Sequence, residues 1–310
     1  MFSVLASVVL FGWVHPASKL ILDQGIPLSY FCVLYVGIRL IFQLPFLLNG
    51  RESIARGSRT WGSLLLIGIA GALLQLFEFK GIEEGLAPAF VTVLMFSYPI
   101  WILVMNFVSS PKSVGVVEAG QALAAVTGIY FVSGSQGSVF KDKDVDPAIV
   151  YPLLASLFIA LWIVLSNRLR KKGMGALKLS AHYDLLSLLA LLGIFGSTLR
   201  QDWSSFVNWS AHPGHVTSLV TYAILVGLLP NLLFYYGSRS TTSHFTGTAL
   251  AFEPFFSAVY AAVIWQWSLD GLFLIGGILI LIANLPKEIL KSVFRGQLAY
   301  ERPVALGGKQ

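Results

Sequence analysis

The fold of this chain is decided by residues 148–167, AIVYPLLASLFIALWIVLSN. This run of 20 residues contains no Asp, Glu, Lys or Arg, and a helix needs about 20 apolar residues to cross a membrane. It is followed at 168–172 by Arg-Leu-Arg-Lys-Lys, the kind of basic cluster that marks the cytoplasmic end of a membrane-spanning helix. We therefore predict that this run crosses the membrane and ends at the cytoplasmic surface.

Nine further apolar runs resemble this one. The sequence is 56% hydrophobic and 12% charged, whereas a soluble domain carries about 25% charged residues. The runs are long and lack the alternation of barrel strands. We predict an all-α polytopic membrane protein, with spans at about 2–21, 27–48, 62–79, 85–107, 114–134, 148–167, 179–199, 217–236, 244–264 and 269–286. The longest gap, Arg200 to His215, is predicted to be an external loop, with Trp203 and Trp209 at the membrane interface.

The distribution of Lys and Arg orients the chain. If the N-terminus is cytoplasmic, 15 of these residues fall in cytoplasmic gaps and 5 in external gaps. We therefore place both termini in the cytoplasm and the protein in a bacterial-type cytoplasmic (inner) membrane. The net charge of +6 is explained by these gaps and does not indicate nucleic-acid binding. The first run lacks a basic leader and a clear cleavage site, so we read it as a span and not as a signal peptide.

The two halves of the sequence echo each other. Both contain a Gly-x9-Gly frame, a Trp followed six residues later by a basic residue, and a Pro within an apolar run. The corresponding pairs are Gly71–Gly81 with Gly227–Gly237, Gln75 with Asn231, Trp13 with Trp162, and Tyr98-Pro99 with Glu253-Pro254. We predict a first five-helix repeat at 1–135, an external linker at 136–147, a second repeat at 148–290 and a cytoplasmic tail at 291–310.

The odd number of spans in each half has a topological consequence. A second half that follows five spans must enter the membrane in the opposite direction from the first. Inverted repeats of this kind typically hold a solute site near the membrane midplane, with one gate on each side. The sequence therefore predicts a transporter that works by alternating access around a central cavity.

These motifs resemble the drug/metabolite transporter superfamily, and specifically its ten-span EamA-type members. The resemblance covers about residues 5–286 and rests on the order of several diffuse motifs: Trp13-x5-Lys19, Arg39, Phe77-Glu-Phe-Lys-Gly81, Ala87-Pro-Ala, Tyr98-Pro99, Gly120-x7-Gly128, Gly247 to Pro254, and Gly276-Gly277. The chain departs from the family pattern at Ser109-Ser110-Pro111, at Trp265-Gln266-Trp267 and at Asn284, where the repeat has a second Gly.

The resemblance implies two inverted repeats around a cavity, and export or exchange of amino acids, other metabolites or drugs. Related subfamilies carry sugar phosphates or nucleotide sugars. No cofactor is implied, and the expected partners are the small-molecule solute, the lipid bilayer and possible coupling protons, with the chain as a monomer or weak dimer. Pro99 and Pro254 are the candidate hinges. Candidate solute-binding residues are Trp13, His15, Arg39, Gln75, Glu78, Tyr98, Trp162, Asn231, Tyr235 and Glu253.

Two charged residues at membrane depth are the sharpest candidates, because a charge there costs at least about 2.5 kcal/mol and tends to mark a pathway or a partnered site. Glu253, before the helix-kinking Pro254, could bind an ammonium group, carry a proton, or be structurally paired. Arg39 could hold a carboxylate through a bidentate contact, or have a structural partner. If both reached the cavity, they would suit a zwitterion.

The other candidates each have a structural alternative. Gln75 and Asn231 could bind solute or form interhelical hydrogen bonds. Trp13 and Trp162 could stack on a solute or pack. His15 beside Pro16 could titrate near neutral pH or be structural. Glu78 could contribute to an outer gate with Lys80, or belong to a solvated helix end.

Two other classes of function compete with transport. A membrane-embedded enzyme acting on lipid would use His15, His182, Asp184 or Glu253, and would need these groups to converge on one reacting atom. A scaffold or receptor would lack a solute cavity. The sequence has no nucleotide-binding or zinc-protease motif, and its single Cys32 permits no internal disulfide. We therefore expect no catalytic residue, metal or cofactor.

Overall fold

The computed structural model describes residues 2–48, 58–109, 116–135, 147–238, 249–266, 270–285 and 289. These parts of the chain are helical and contain no strand. We number the helical segments 1 to 10 after the predicted spans. Their helices are Phe2–Gly12 and Val14–Leu22 (segment 1), Leu28–Leu48 (2), Ser58–Glu83 (3), Pro88–Met95 and Tyr98–Ser109 (4), Val116–Ser135 (5), Val150–Lys171 (6), Ala176–Gln201 (7), Pro213–Tyr222 and Leu229–Ser238 joined by a π-helix at Ala223–Leu228 (8), Glu253–Trp265 (9) and Gly271–Asn284 (10).

The predicted all-α membrane fold is confirmed. Seven of the described helical stretches are long and apolar enough to cross a membrane, and Ala119–Val132, Glu253–Trp265 and Gly271–Asn284 are shorter apolar helices. The number of ten spans is compatible with this arrangement and stays a prediction. The predicted linker lies almost wholly outside the described residues, as does the tail.

One gap differs from its predicted loop. Residues Trp203–Ser210 form a helix between segments 7 and 8. Trp209 is only 4% exposed and packs on Phe206 and His215, whereas Trp203 is 58% exposed. The predicted interface position therefore fits Trp203 and is wrong for Trp209, because the short helix turns the Trp209 ring towards the bundle.

The helix contacts are compatible with an inverted repeat. Segment 3 packs on segments 6 and 7, and segment 8 packs on segments 1 and 2. Segments 2 and 7 pack on each other, as do segments 5 and 10. If each segment is replaced by the segment five places away along the chain, every one of these contacts becomes another contact that is also present.

The same correspondence holds at individual residues. Gly71 packs against Tyr183, and Gly227 packs against Tyr35. Gly81 packs against Pro152, and Gly237 packs against Val4. In each comparison the two glycines are 156 positions apart, and their two partners are 148 positions apart. Four contacts that keep these two offsets support the proposed duplication.

Polar contacts join segments 2 and 7 along their length. Ser29 Oγ donates to Asp202 Oδ2 at 2.7 Å, and Tyr30 Oη donates to the Leu199 carbonyl at 2.7 Å. Further along segment 2, Arg39 contacts Asp184 of segment 7. Because the partner numbers fall as the residue numbers rise, the two helices are antiparallel and their register is fixed at several positions.

Segments 5 and 10 make a closer approach than side chains would allow. A Cβ atom on Gly276 would lie 2.6 Å from the Gly128 carbonyl oxygen and 2.8 Å from the Val132 nitrogen. A Cβ atom on Gly128 would lie 2.7 Å from the Gly276 carbonyl oxygen. Small residues that let helix backbones meet are a common basis of association in membranes.

This contact predicts different outcomes for two adjacent glycines. Gly276→Ala should lower the free energy of unfolding by about 1–3 kcal/mol, because the new methyl group meets the backbone of segment 5. Gly277 has open space at its Cβ position. Gly277→Ala should be neutral or stabilising by up to about 1 kcal/mol, because Ala favours a helix more than Gly does. Thermal unfolding in detergent measures both, and equal behaviour of the two variants would contradict the close packing.

Candidate functional site

Three segments are interrupted near the middle of the bundle. Segment 1 breaks at Trp13, segment 4 breaks at residues 96–97, and segment 9 has a turn at residues 251–252. Each break lies one to three residues before a proline, which cannot donate the backbone hydrogen bond that a continuous helix requires. Transporters often build solute sites from broken helices of this kind.

At two of these breaks a carbonyl group loses its helical hydrogen bond and accepts one from a side chain of the second half instead. The Trp13 nitrogen donates to Leu10, so the Val9 carbonyl accepts instead from Tyr260 Oη at 3.2 Å. The Ile100 nitrogen donates to Ser97, so the Phe96 carbonyl accepts instead from Asn284 Nδ2 at 2.7 Å. The breaks are therefore stabilised by contacts between the two halves.

A buried polar cluster lies beside the first break and consists of His15, Glu78, Thr92 and Ser257. His15 Nε2 is 3.1 Å from Glu78 Oε1, without the direction of a good hydrogen bond, and His15 Nδ1 is 2.8 Å from Thr92 Oγ1. Thr92 Oγ1 is also 2.7 Å from Ser257 Oγ. The cluster thus joins segments 1, 3 and 4 of the first half to segment 9 of the second. All four residues are buried, and Thr92 and Ser257 have no exposed surface.

Glu253 lies next to this cluster. It begins the helix of segment 9, one helical turn before Ser257, so both side chains share a face. The residue is partly exposed. Its carboxylate interacts electrostatically with the Glu78 carboxylate and with the Tyr98 hydroxyl. The N-terminal end of a helix also favours a negative charge. The arrangement places two carboxylates and one imidazole at the seam between the halves.

Arg39 does not reach this site. Its Nη2 donates to Asp184 Oδ1 at 2.8 Å, and Gln43 Nε2 donates to the other oxygen of that carboxylate at 2.6 Å. Arg39 also lies over the Tyr35 ring, 5.1 Å from its centroid. Asp184 is fully buried and Arg39 nearly so. The structural partner considered for Arg39 is therefore present, and the zwitterion site that combined Arg39 with Glu253 is not assembled in this structure.

The paired amides and tryptophans occupy different surroundings. The Gln75 side chain meets Tyr183, and its buried Oε1 has no hydrogen-bond partner. Asn231 Nδ2 donates to the Gly227 carbonyl of its own helix. Trp13 contacts the Tyr260 ring edge-on with ring centroids 4.7 Å apart, whereas the Trp162 and Tyr183 ring centroids are 6.0 Å apart.

The Tyr235 side chain lies outside the described part of the chain. Of this group, Trp13 and Gln75 are nearest to the buried polar cluster in sequence, two residues before His15 and three before Glu78.

Tyr98 and Pro99 border a cavity of about 190 Å³ between segments 4, 5 and 10. Gln121 and Asn284 form its polar wall, and Gln121 donates to the carbonyls of Ala283 and Leu285. The predicted hinges lie at helix starts, because Pro99 follows the first residue of the second helix of segment 4 and Pro254 follows Glu253.

The C-terminal end of segment 3 is separate from this site. Lys80 Nζ pairs with Glu83 Oε2 and Glu84 Oε1, both at 2.8 Å. Glu78 turns inwards to His15 instead. Lys80 therefore belongs to a partly exposed helix end, and the two residues do not form the pair considered for an outer gate.

Of the groups proposed for a lipid-acting enzyme, His15 and Glu253 lie near each other at the seam, whereas Asp184 and His182 are engaged elsewhere. His15 pairs with Glu78, Asp184 with Arg39, and His182 Nδ1 lies 2.8 Å from the Lys178 carbonyl one turn earlier on its own helix. Among the described residues, no group of three or more His, Cys, Asp or Glu side chains is arranged to hold a metal ion. The geometry thus gives little support to acid–base chemistry on one reacting atom.

Sequence reasoning missed the hydroxyl groups and Gln43. Thr92 and Ser257 are hydroxyl residues within apolar runs, where a helix-bonded hydroxyl is common. Ser257 lies four residues after Glu253, and Gln43 lies four residues after Arg39. This spacing places each next to a charged residue on one helix face, and it is the signal that could have found them.

The fold and site define a helical membrane protein with a polar seam between its two halves. Residues 146–285 match the sequence profile of the EamA-like transporter family, which belongs to the drug/metabolite transporter superfamily. The match agrees with the resemblance seen in the motifs over the second half of the chain. No curated protein matches the chain. A solved crystal structure of a protein shares the fold, with a TM-score of 0.58 and 16% identity over 96% of this chain and 97% of that chain.

The Arg39–Asp184 pair predicts a characteristic pattern of stability. Arg39→Met or Asp184→Leu alone should destabilise the protein by about 3–5 kcal/mol, because each leaves a buried charge without its partner. The double variant should recover much of this loss. Lys19→Met, which breaks the more exposed Lys19–Asp23 pair, should cost less than about 1 kcal/mol. Thermal unfolding measures all four; an additive double variant would contradict a coupled pair.

Proposed function

We propose that the protein is a secondary active transporter that exports amino acids or related metabolites by alternating access. The observation that carries this proposal is the site at the seam: Glu253 and Ser257 of the second half meet Glu78, His15 and Thr92 of the first. Polar groups at membrane depth need a reason, and a solute pathway supplies one. Because the cluster includes residues from both halves, relative movement of the halves would change its access.

Glu253 is the proposed contact for the ammonium group of the solute. The residue is partly exposed, and the described residues give it no Lys, Arg or His ion-pair partner within 4.0 Å. Trp13 and Tyr98 add aromatic surface nearby, and an aromatic face attracts a cation. The solute carboxylate would be held by hydrogen bonds, for which Gln75 and Tyr98 are the candidates, because Arg39 is engaged with Asp184.

The proposed mechanism uses the helix breaks as hinges. Segment 4 can bend at residues 96–97 and segment 9 at residues 251–252, next to the site. The matching contacts of Gly71 with Tyr183 and of Gly227 with Tyr35 give the two halves similar packing. Two similar halves permit two similar gates, as inverted repeats do. We place both termini in the cytoplasm and the protein in a bacterial-type inner membrane, following the charge distribution.

A second candidate solute is an organic cation without a carboxylate. The observation that favours it is the acidic surplus at the seam, where Glu78 and Glu253 face a single imidazole. An amino acid and the amine formed by its decarboxylation differ only in the carboxylate, so they form a matched pair of probes. Competition by both supports the amino-acid proposal, and competition by the amine alone supports the cation.

Counterflow in proteoliposomes tests the proposal with a mixed panel of labelled amino acids and amines. The wild-type protein should exchange at least one panel member, and Glu253→Gln should reduce its flux at least about 10-fold because the charged contact to the ammonium is worth about 1.5–3 kcal/mol. Glu83→Gln is the matched control, since Glu83 pairs with Lys80 at the exposed helix end. Equal flux of Glu253→Gln and wild type would overturn the role of Glu253, and no flux of any panel member by folded wild type would overturn the function.

A further inference from the structure

The cavity between segments 4, 5 and 10 has two amide side chains in its wall, and the hydrogen atoms of both can be placed. Asn284 Nδ2 donates to the carbonyls of Phe96 and Ile280 at 2.7 and 2.8 Å. Gln121 Nε2 donates to two carbonyls at the end of segment 10, at 2.9 and 2.7 Å. An amide nitrogen has two hydrogens and a carbonyl can only accept, so each amide has one orientation, with both of its hydrogens engaged.

Hydrogen-bond acceptors therefore remain for a ligand. Asn284 Oδ1 is buried and has no hydrogen-bond partner in the structure. Almost all buried polar atoms in proteins are hydrogen-bonded, so such an atom on a residue that lines a cavity points to a bound molecule. The Gln121 side chain has its oxygen left, and the Tyr98 hydroxyl oxygen can accept as well. The other described lining residues are apolar, namely Pro99, Ile102, Leu103 and Ala283. The wall thus suits a ligand that donates hydrogen bonds.

The surroundings of the cavity favour a positive charge. Asn284 is the last residue of the helix Gly271–Asn284, and the C-terminal end of a helix carries a partial negative charge. Glu253 interacts electrostatically with Tyr98, which borders the cavity. None of the described lining residues carries a positive charge. A primary ammonium group combines a positive charge with three N–H donors, one for each of the three side-chain acceptors.

The size and position of the cavity suit a head group attached to an apolar chain. Its volume of about 190 Å³ is below the range of about 300–1,000 Å³ that is usual for drug-sized ligands. The lining residues Leu103 and Gln121 are only half-buried. Val104 and Leu123, which are near them on the same helices, are exposed and apolar, as expected of a surface that faces lipid. An alkyl chain can therefore lie on this outer surface while its head group fills the cavity.

We propose that this cavity binds the primary ammonium head group of an amphiphile, either an ethanolamine phospholipid or an apolar amine. The site is additional to the proposed solute site at the seam, because its amide wall belongs to segments 5 and 10. Asn284 also holds the Phe96 carbonyl at the break of segment 4, so a bound head group stabilises that break.

The site is built once in the chain, although the chain has two halves. Gly120 and Gly276 are 156 positions apart, and the same offset relates Gly128 to Asn284. Gly128 has no side chain and packs on the backbone of Gly276. The first half therefore lacks the amide that forms the polar wall in the second half.

Native mass spectrometry tests the site with two phospholipids of identical acyl chains, supplied in equal amounts in nanodiscs. A choline head group is positive like an ethanolamine head group but has no N–H to donate. Wild type should retain the ethanolamine lipid at least about 10-fold over the choline lipid, as expected from one hydrogen bond to a charged group. Leu103→Phe fills the cavity and should abolish this preference, and Ile102→Phe is a second variant of the same kind. Val104→Phe is the matched control, because Val104 is exposed outside the cavity.

Thermal unfolding with octylamine and octyltrimethylammonium, in detergent without phospholipid, tests the second source of the head group. Octylamine should raise the Tm of wild type and of Val104→Phe at least about 2 °C more than octyltrimethylammonium does, because it alone can donate hydrogen bonds. The two compounds should act equally on Leu103→Phe and Ile102→Phe.

The two measurements together decide the ligand, and neither depends on transport. A preference for the primary ammonium in the lipid measurement alone assigns the site to a phospholipid, and one in the amine measurement alone assigns it to a free amine. A preference in both supports the shared head-group chemistry. A wild-type protein without preference in either measurement, or a preference that both cavity-filling variants retain, would overturn the proposal.

Discussion

The hydrocarbon core of a membrane contains no water to satisfy polar groups, so a carbonyl, hydroxyl or charge in this bundle is stabilised by a partner in the protein. The constraint is visible wherever the helices are irregular. The carbonyls of Val9 and Phe96, freed by helix breaks, accept hydrogen bonds from Tyr260 and Asn284. Arg39 is neutralised by Asp184, whose second oxygen is bonded by Gln43. In each of these cases the partner comes from the other half of the chain, so the same contacts that satisfy polar groups hold the halves together.

The constraint also separates a structural charge from a functional one. Arg39 and Asp184 form a closed arrangement within the antiparallel pair of segments 2 and 7, and a solute would have to break it in order to bind. Glu253 and the buried polar cluster are different, because Glu253 is partly exposed and the described residues give it no ion-pair partner within 4.0 Å. A charge that the protein leaves without an ion-pair partner is available to a solute, whereas a paired charge stabilises the fold. The structural Arg39–Asp184 pair and the candidate site around Glu253 thus lie in the same helix bundle.

Much of this architecture is contained in the amino-acid sequence. Runs such as 148–167 predict helices because length and hydropathy alone decide whether a segment suits a bilayer, and the structure places helix at the described part of each run. Glu253 and His15 were found because isolated polar residues stand out in apolar runs. The partners were harder to predict: Asp184 is 145 positions from Arg39 and Ser257 is 165 positions from Thr92. Pairing across such separations depends on helix rotation and packing, which the period of the sequence does not specify. Trp209 was misplaced for the same reason, because the helix Trp203–Ser210 turns its ring inwards.

The central claim is that the buried cluster becomes accessible from each side of the membrane in turn. The single native cysteine, Cys32, is buried and can be replaced, so a Cys32→Ala, Ser257→Cys variant carries one thiol at the seam between the halves. Membrane-impermeant thiol reagents applied to either face of oriented vesicles report its access, with Cys32→Ala as the unlabelled background. The account predicts labelling from both faces. Labelling from one face only, in a variant that folds, would contradict alternating access.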